Sequence, residues 1–398
     1  MTVRGHSPST TKRIVGLFPA LLGVGGVQEA GRLTTAALQR IAFQRGWSTD
    51  FLSLNDSPGP QSLDVGEQRI PLYGFGRRKL RFIVSGINRT RTFRRNGAHI
   101  VLAAHPNLAV AADWMRRVSA HLQTVVMAHG IEVWKPLAAS RHGALIRANL
   151  VLAPSRDTVQ KLIDVQGVPP ERIRRLPWPL SPSFLSLANA PVGLPKPAGF
   201  PEQGRVVLTV GRWDASERYK GADELIRSVQ QLGAAIPELH LVAVGSGDDL
   251  PRLRRLAVDL NLSDRVHFIE NVSREEMAGC HARAEFFAMP STGEGFGLVF
   301  LEAMAFSKPV IGAACGGTTD VVEDGINGLL VPPGDQVALV HAVARLLRDE
   351  SLRDELGRHG GEIVRRKYQF AVFQSALEKI LVECEAGLRE TRTARRIL

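Results

Sequence analysis

Disulfide and zinc chemistry have little to work with in this 398-residue chain. Its three cysteines, Cys280, Cys315 and Cys384, are odd in number and none stands in a CxxC pair, which points to a reducing cytosol rather than a disulfide frame or a zinc site. Long apolar runs are also scarce. No segment reaches the roughly 18 residues that a membrane span requires, and the opening MTVRGHSPSTTKR leads into no long apolar core. The expectation is a soluble cytoplasmic protein that can still work as a peripheral partner at the inner face of a membrane. Zinc spacing, helix-turn-helix and RNA-binding signatures are missing as well, so nucleic acid is not an expected partner.

Acidic residues are short in one half only. Residues 1–185 hold 25 Lys+Arg against 10 Asp+Glu, and the remainder 25 against 29, so the net charge of +11 belongs to the first half. Much of it lies in Arg77, Arg78, Lys79, Arg81, Arg89, Arg91, Arg94 and Arg95, spaced to place several on one helical face with Phe82, Ile83 and Phe93 among them. Such a face suits anionic lipid headgroups or a pyrophosphate-linked lipid.

What is present is globular: 44% apolar and 22% charged residues. The length is too great for one ordinary core, so two domains are expected. KRIVGLF at 12–18 reads as a buried strand, followed by a turn carrying Gly23, Gly25 and Gly26 and an amphipathic helix over 28–45. This is the opening of a Rossmann-like unit, without the dinucleotide fingerprint. Further strands are read at 47–54, 99–104, 124–128 and 149–153, the last ending in Ser155, a helix cap. Residues 177–204 hold seven prolines and no clear periodicity, which reads as a connection. The alternation then restarts, with strands at 205–210, 239–244, 266–269, 285–290, 308–312 and 328–331, and helices between and after them. The expected organisation is α/β: a Rossmann-like acceptor-binding domain over 1–182, a linker over 183–204, and a second Rossmann-like domain over 205–370. A helix over 371–398 returns toward the first domain. The sheets should be parallel, with ligands at the carboxyl ends of their strands.

The stretch Ser291–Met304, STGEGFGLVFLEAM, concentrates the chemistry. Gly293, Gly295 and Gly297 make a loop whose backbone can take positive φ and let another molecule approach. From Leu298 the composition turns helical, so the loop ends at a helix N-terminus, an anion site through free N–H groups and the helix dipole. Glu294 sits on the loop and Glu302 about two turns inside the helix, able to point back at it.

In chain order, HGIEVW, GRWDASERYKGADELI, GSGDD and GEGFGLVFLEAMA resemble the retaining glycosyltransferases of family 4, which have the GT-B fold of two Rossmann-like domains facing across a cleft. The resemblance covers residues 12–390. It implies that Arg212 and Lys220 bind the pyrophosphate of a nucleotide-sugar donor. Their spacing is longer than the family pattern, which leaves Arg218 as an alternative to Lys220. It implies that Glu302 accepts hydrogen bonds from the ribose hydroxyls. Gly295, Phe296, Gly297, Leu298 and Val299 present backbone N–H groups to the pyrophosphate and sugar, and Glu294 faces the sugar hydroxyls. Val272 and Ser273 lie at the base-binding loop. His129, with Glu132 close behind, resembles the histidine that contacts the transferred sugar, and Gly25 and Gly26 the turn approached by donor phosphate and acceptor. Asp248-Asp249 is read as a solvated turn rather than a metal pair, so metal-independent transfer without a cofactor is expected. The implied activity is transfer of a hexose from GDP-mannose or a UDP-hexose to a glycan or polyprenyl-pyrophosphate-linked acceptor in cell-surface polysaccharide assembly. Competing readings are a nucleotide-sugar 2-epimerase of the same fold, a non-catalytic nucleotide-sugar sensor and an NAD-dependent oxidoreductase, the last disfavoured by the glycine pattern.

Overall fold

The computed structural model describes residues 12–23, 25–66, 68–91, 99–119, 121–189 and 193–397, with side chains followed to Cys384. The chain divides into two units, one formed by residues up to Pro179 together with those from Phe370, the other by Leu180–Gln369.

The first unit is built on eight strands: β1 Arg13–Phe18, β2 Ser48–Ser53, β3 Gly59–Val65, β4 Gln68–Gly74, β5 His99–Ala103, β6 Leu122–Met127, β7 Leu150–Ala153 and β8 Ile173–Arg175. Their order is β3-β4-β2-β1-β5-β6-β7-β8. Strands β1, β5, β6 and β7 are almost wholly buried, as expected for strands covered on both faces. The all-parallel expectation fails at one edge, where β3 runs antiparallel to β4. Strand β4 alternates buried and exposed residues and β3 buries Leu63 between half-buried and exposed neighbours, the pattern of a hairpin with one wet face, and Pro60 and Pro71 hid it in the sequence. Helix Gly26–Arg45 ends on Gly46 in the left-handed region (φ 65°), where glycine carries no Cβ penalty. The long helix Phe370–Ile397 lies against it, with Lys12 Nζ donating to the Leu381 carbonyl at 3.3 Å and Arg45 paired with Glu378 at 2.5 Å.

In the second unit all six strands are parallel: β9 Arg205–Val210, β10 Leu239–Val244, β11 Val266–Ile269, β12 Phe286–Met289, β13 Val310–Ala313 and β14 Gly328–Val331, in the order β11-β10-β9-β12-β13-β14. The strand order reverses between β9 and β12, a switch point that places a crevice at the carboxyl ends of these two strands. Leu225, Ile226 and Val229 of helix Ala222–Leu232 and Leu339, Val343 and Leu346 of helix Gln336–Arg348 are buried in one cluster with Val207, Leu241, Phe286 and Ile311 of the sheet.

The proline-rich stretch is not all connection: residues 182–188 form a helix of the second unit. Pro182 stands in its first turn, where a missing N–H costs nothing. A single large side chain, Phe184, buries edge-on against Phe306 at 5.7 Å, so no periodicity announced it. No helix among the described residues is long and apolar enough to cross a membrane.

Candidate functional site

The crevice of the second unit is made by two loops, Gly211–Gly221 after β9 and Pro290–Gly297 after β12. They are tied together by the Thr292 N–H donating to the Tyr219 carbonyl at 2.8 Å. Ser291 is buried and closes its own turn, its hydroxyl donating to the Gly293 carbonyl at 2.7 Å. Gly297 (φ 94°) starts helix Leu298–Ala305 and lies so close to the Phe300 ring that a Cβ would clash with it. Phe296 is buried and packs its ring at 6.0 Å from that of Tyr368.

Glu294 is half-buried, and burial pushes its carboxyl above the ordinary range. The backbone N–H groups of Phe296, Gly295 and Gly297 and the Lys220 cation pull the other way, the Phe296 N–H donating to Glu294 Oε1 at 3.3 Å. The N–H groups that the sequence assigns to a donor phosphate are thus turned toward a carboxylate and offset part of its burial cost. Two residues that the sequence reading missed hold Glu294 from behind. The Gly317 N–H donates to the Glu294 carbonyl at 2.6 Å, and a Cβ on Gly316 or Gly317 would overlap the Glu294 or Gly295 carbonyl. The adjacent glycines after β13 were the available signal.

Lys220 and Arg212 both lie on the β9 loop. Lys220 is largely buried, which lowers its ammonium below the usual range, while Glu294 opposes that shift. Its Nζ sits 2.7 Å from Glu217 Oε2 and donates to the Arg212 carbonyl at 3.5 Å. Arg212 is two-thirds exposed and pairs with Asp214 at 3.0 Å and with Glu217. Arg218, the alternative to Lys220, points elsewhere: it donates to Asp249 at 2.8 Å. Asp249 also takes Arg252 at 2.6 Å, and the two guanidinium groups hold its carboxyl below the usual carboxylate range. The turn Asp248-Asp249 is thus solvated only at Asp248, which caps Ala215 N–H at 2.7 Å. Asp249 is buried because it neutralises two arginines in one place.

Glu302 is about a quarter exposed on helix Leu298–Ala305, its Oε2 3.9 Å from His281 Nε2. His281 was not anticipated. It is fully buried, its ring stacked on Phe306 at 5.8 Å and both ring nitrogens without a hydrogen-bond partner. Burial, reinforced by Lys308, lowers its pKa to about 3, so the imidazole is neutral. Ser273 forms a capping box with Glu276, its hydroxyl accepting from the Glu276 N–H at 3.1 Å and its own N–H donating to Glu276 at 2.8 Å. Its backbone N–H is spent on the helix cap; Asn271 beside Val272 takes a positive φ of 56°.

In the first unit, His129 follows β6. Its Nε2 donates to the Ala104 carbonyl at 2.8 Å and its backbone N–H to Glu132 at 2.5 Å. The ring is stacked between His105 at 5.7 Å and Trp178 at 5.3 Å, so its orientation is set on both faces. Burial lowers the His105 pKa to about 4. Gly25 takes φ 140°, and Gly26 opens helix Gly26–Arg45 with nothing within 4 Å of where a Cβ would stand. Among the described residues, none gives a steric reason for glycine at Gly26. Arg77 and Arg78, just before helix Lys79–Arg91, and Lys79 and Arg81 on it are exposed as the sequence suggests. Phe82 is in the core instead, and the exposed apolar residues of that helix are Leu80 and Val84. Arg89 is engaged by Asp50 at 3.6 Å and by Ser85. Phe93, Arg94 and Arg95 lie outside the described residues.

Comparison with known proteins covers both units. Residues 24–184 match the model of Glycosyltransferase Family 4, and residues 194–362 that of Glycosyl transferases group 1. A GDP-mannose-dependent alpha-(1-6)-phosphatidylinositol monomannoside mannosyltransferase of Mycolicibacterium smegmatis is 35% identical over 182 residues, 44% of this chain and 47% of the relative. A D-inositol 3-phosphate glycosyltransferase of Salinispora arenicola is 28% identical over 364 residues, 83% of this chain and 80% of the relative. The chain spans about half the length of the first curated relatives it matches. Among solved structures, sucrose-phosphate synthase from Thermosynechococcus elongatus superposes with a TM-score of 0.73 at 23% identity, covering 94% of this chain and 100% of that one. Anabaena HepE in complex with UDP gives 0.68 at 18%, covering 93% and 100%. These likenesses establish the two-domain GT-B fold.

Proposed function

The chain belongs to glycosyltransferase family 4, and on that premise we propose that it transfers a hexose from a nucleoside-diphosphate sugar to a glycan or lipid-linked glycan, with retention of configuration. The observation that carries this reading is the grouping of Arg212, Lys220 and Glu294 at the carboxyl ends of β9 and β12. Lys220 and Glu294 oppose each other's burial shifts there, beside a loop that ends at a helix start.

In this reading the donor diphosphate lies against Arg212 and Lys220. As the bond from the anomeric carbon to the diphosphate breaks, the leaving group gains charge, and fixed cations stabilise it without having to reorganise. The N–H groups of Gly295–Val299 hold the pyrophosphate and sugar, Glu302 the ribose, and Glu294 the sugar hydroxyls near the developing positive charge. Val272 and Ser273 approach the base. The acceptor oxygen attacks on the face that the diphosphate leaves, and His129 and the Gly25-Gly26 turn serve sugar and acceptor. No strong base is needed, and the rate gain comes from positioning and electrostatics. Transfer is proposed to be metal-independent.

The named relatives use GDP-mannose or act on inositol phosphates, and HepE binds UDP, so the donor is proposed as GDP-mannose or a UDP-hexose. The acceptor is proposed to reside at a membrane, because exposed Arg77, Arg78, Lys79 and Arg81 stand beside exposed Leu80 and Val84, cations and apolar groups that suit an anionic interface.

Thermal-shift and calorimetric titration against a panel of nucleotide-sugars is the test. One GDP- or UDP-hexose should bind at micromolar concentration, and free nucleoside diphosphate should be released only when acceptor is supplied, with EDTA without effect. Binding of a nicotinamide cofactor but of no nucleotide-sugar overturns the reading. Release without acceptor, with the sugar inverted at C2, replaces it by an epimerase. Vesicles containing anionic lipid should retain the protein and release it when Arg77, Arg78 and Lys79 are changed to Glu.

A further inference from the structure

Glu217 occupies an unusual place: a carboxylate only 10% exposed that pairs with both cations assigned to the donor, Arg212 and, at 2.7 Å, Lys220. It stands in the segment between them, whose length exceeds the family pattern, at a break where its own backbone (φ −119°, ψ 23°) leaves the surrounding 3-10 geometry. The segment is anchored on either side of this break, by Ala215 N–H on Asp248 before it and by Arg218 on Asp249 after it. Its backbone therefore has fixed points while the Glu217 side chain rests on the cations.

We propose that Glu217 is the resident counter-ion of the diphosphate site: it fills the electrostatic place of the diphosphate between turnovers and competes with it. Resting on the donor-site reading above, this adds a residue that sets affinity for the nucleotide and its release. Asp214 neutralises Arg212 alone at 3.0 Å, so without a carboxylate shared between them the two cations would repel each other and Lys220 would lose solvation without a paired anion. Glu217 relieves both effects. A diphosphate carries more charge than one carboxylate and offers more acceptor oxygens, so it displaces Glu217 from at least one cation. The displaced carboxylate then lies beside a bound anion and weakens it. Binding is thereby made looser than two unmasked cations would give, and departure of the nucleoside diphosphate is faster.

A residue that merely props Arg212 and Lys220 in place predicts the opposite sign, because its loss would scatter the cations and weaken binding. The experiment titrates the full chain, wild type, Glu217→Gln, Glu217→Ala and Glu217→Asp, with inorganic pyrophosphate and with GDP and UDP by calorimetry at constant ionic strength. Stopped-flow displacement of a fluorescent nucleoside diphosphate measures the off-rate, and thermal unfolding shows which variants are folded. Glu217→Gln and Glu217→Ala should bind three- to tenfold more tightly and release more slowly, with a lower donor KM and a lower kcat where release limits turnover. Glu217→Asp, which keeps the charge, should stay nearer wild type than either. Equal or weaker binding by the folded neutral variants, with wild type binding normally, overturns this inference and leaves the donor site standing. If wild type binds neither pyrophosphate nor any nucleoside diphosphate, the donor-site reading falls and takes this inference with it.

Discussion

The guanidinium of Arg218 donates to the carboxylate of Asp249 at 2.8 Å, and Asp249 is 4% exposed. That pair removes Arg218 from competition for a phosphate, since freeing it would strand a buried carboxylate shared with Arg252. Lys220→Ala should accordingly lower transfer by two orders of magnitude or more. Arg218→Ala should keep transfer within a few-fold and instead lower the melting temperature. Rates of nucleoside diphosphate release and melting curves for the two variants check this; comparable rate losses with unchanged melting would return Arg218 to the site.

Glu294 has its carboxyl pKa raised by burial above the ordinary 4.5. Its ionised form therefore burdens the fold above that raised value, and the burden disappears as pH falls below 4.5. Glu294→Gln should melt several degrees higher than wild type at pH 7, with the gap closing by pH 4, while losing most transfer. A Gln variant less stable than wild type at pH 7 would show that the carboxylate is a net structural support.

Two glycines separate space from ligand. At Gly26 a Cβ meets nothing, so Gly26→Ala should leave stability within about 1 kcal/mol, alanine being the better helix former, yet reduce transfer tenfold or more. At Gly317 a Cβ would overlap the Gly295 carbonyl, and Gly317→Ala should cost about 2–4 kcal/mol as the loop behind Glu294 is displaced. Denaturant unfolding alongside transfer assays distinguishes the two. Full activity in Gly26→Ala would mean that nothing approaches that turn.

His281 stays neutral down to about pH 3 in the fold but takes a proton below about 6.5 once unfolded. A lowered histidine pKa contributes stability that is present above 6.5 and is lost as pH falls toward 3. His281→Phe, similar in size and without the unpartnered nitrogens, should flatten the acid branch. Between pH 7 and pH 4.5 its stability relative to wild type should improve by about 2 kcal/mol. Urea unfolding at the two pH values measures this, and a constant difference would show that His281 finds a proton-accepting partner.

Parallel strands were legible because burial on both faces makes them short, nearly unbroken apolar runs. The expectations at 205–210, 239–244, 266–269 and 328–331 coincide with β9, β10, β11 and β14. The β3–β4 hairpin and helix Pro182–Ala188 were not legible, since prolines at tolerated positions mask their pattern and each is held by few apolar contacts. The Ser291–Met304 stretch announced an anion loop through its glycines. The pair Gly316-Gly317, the carboxylate of Glu217 and the ring of His281 came to notice only through what they touch.

By itself, then, the sequence determined the alternation of strand and helix, the glycine loop at the start of helix Leu298–Ala305 and the basic first half, and through the resemblance of its motifs it named Arg212, Lys220, Glu294 and Glu302 as candidates. The first three are local properties, carried by period, composition and spacing. Tertiary structure alone decided that Arg218 belongs to Asp249, 31 residues away, and that Glu302 lies 3.9 Å from a neutral, buried His281. Which charge meets which is settled by how neighbouring strands and loops pack, and burial then sets the protonation of what they enclose.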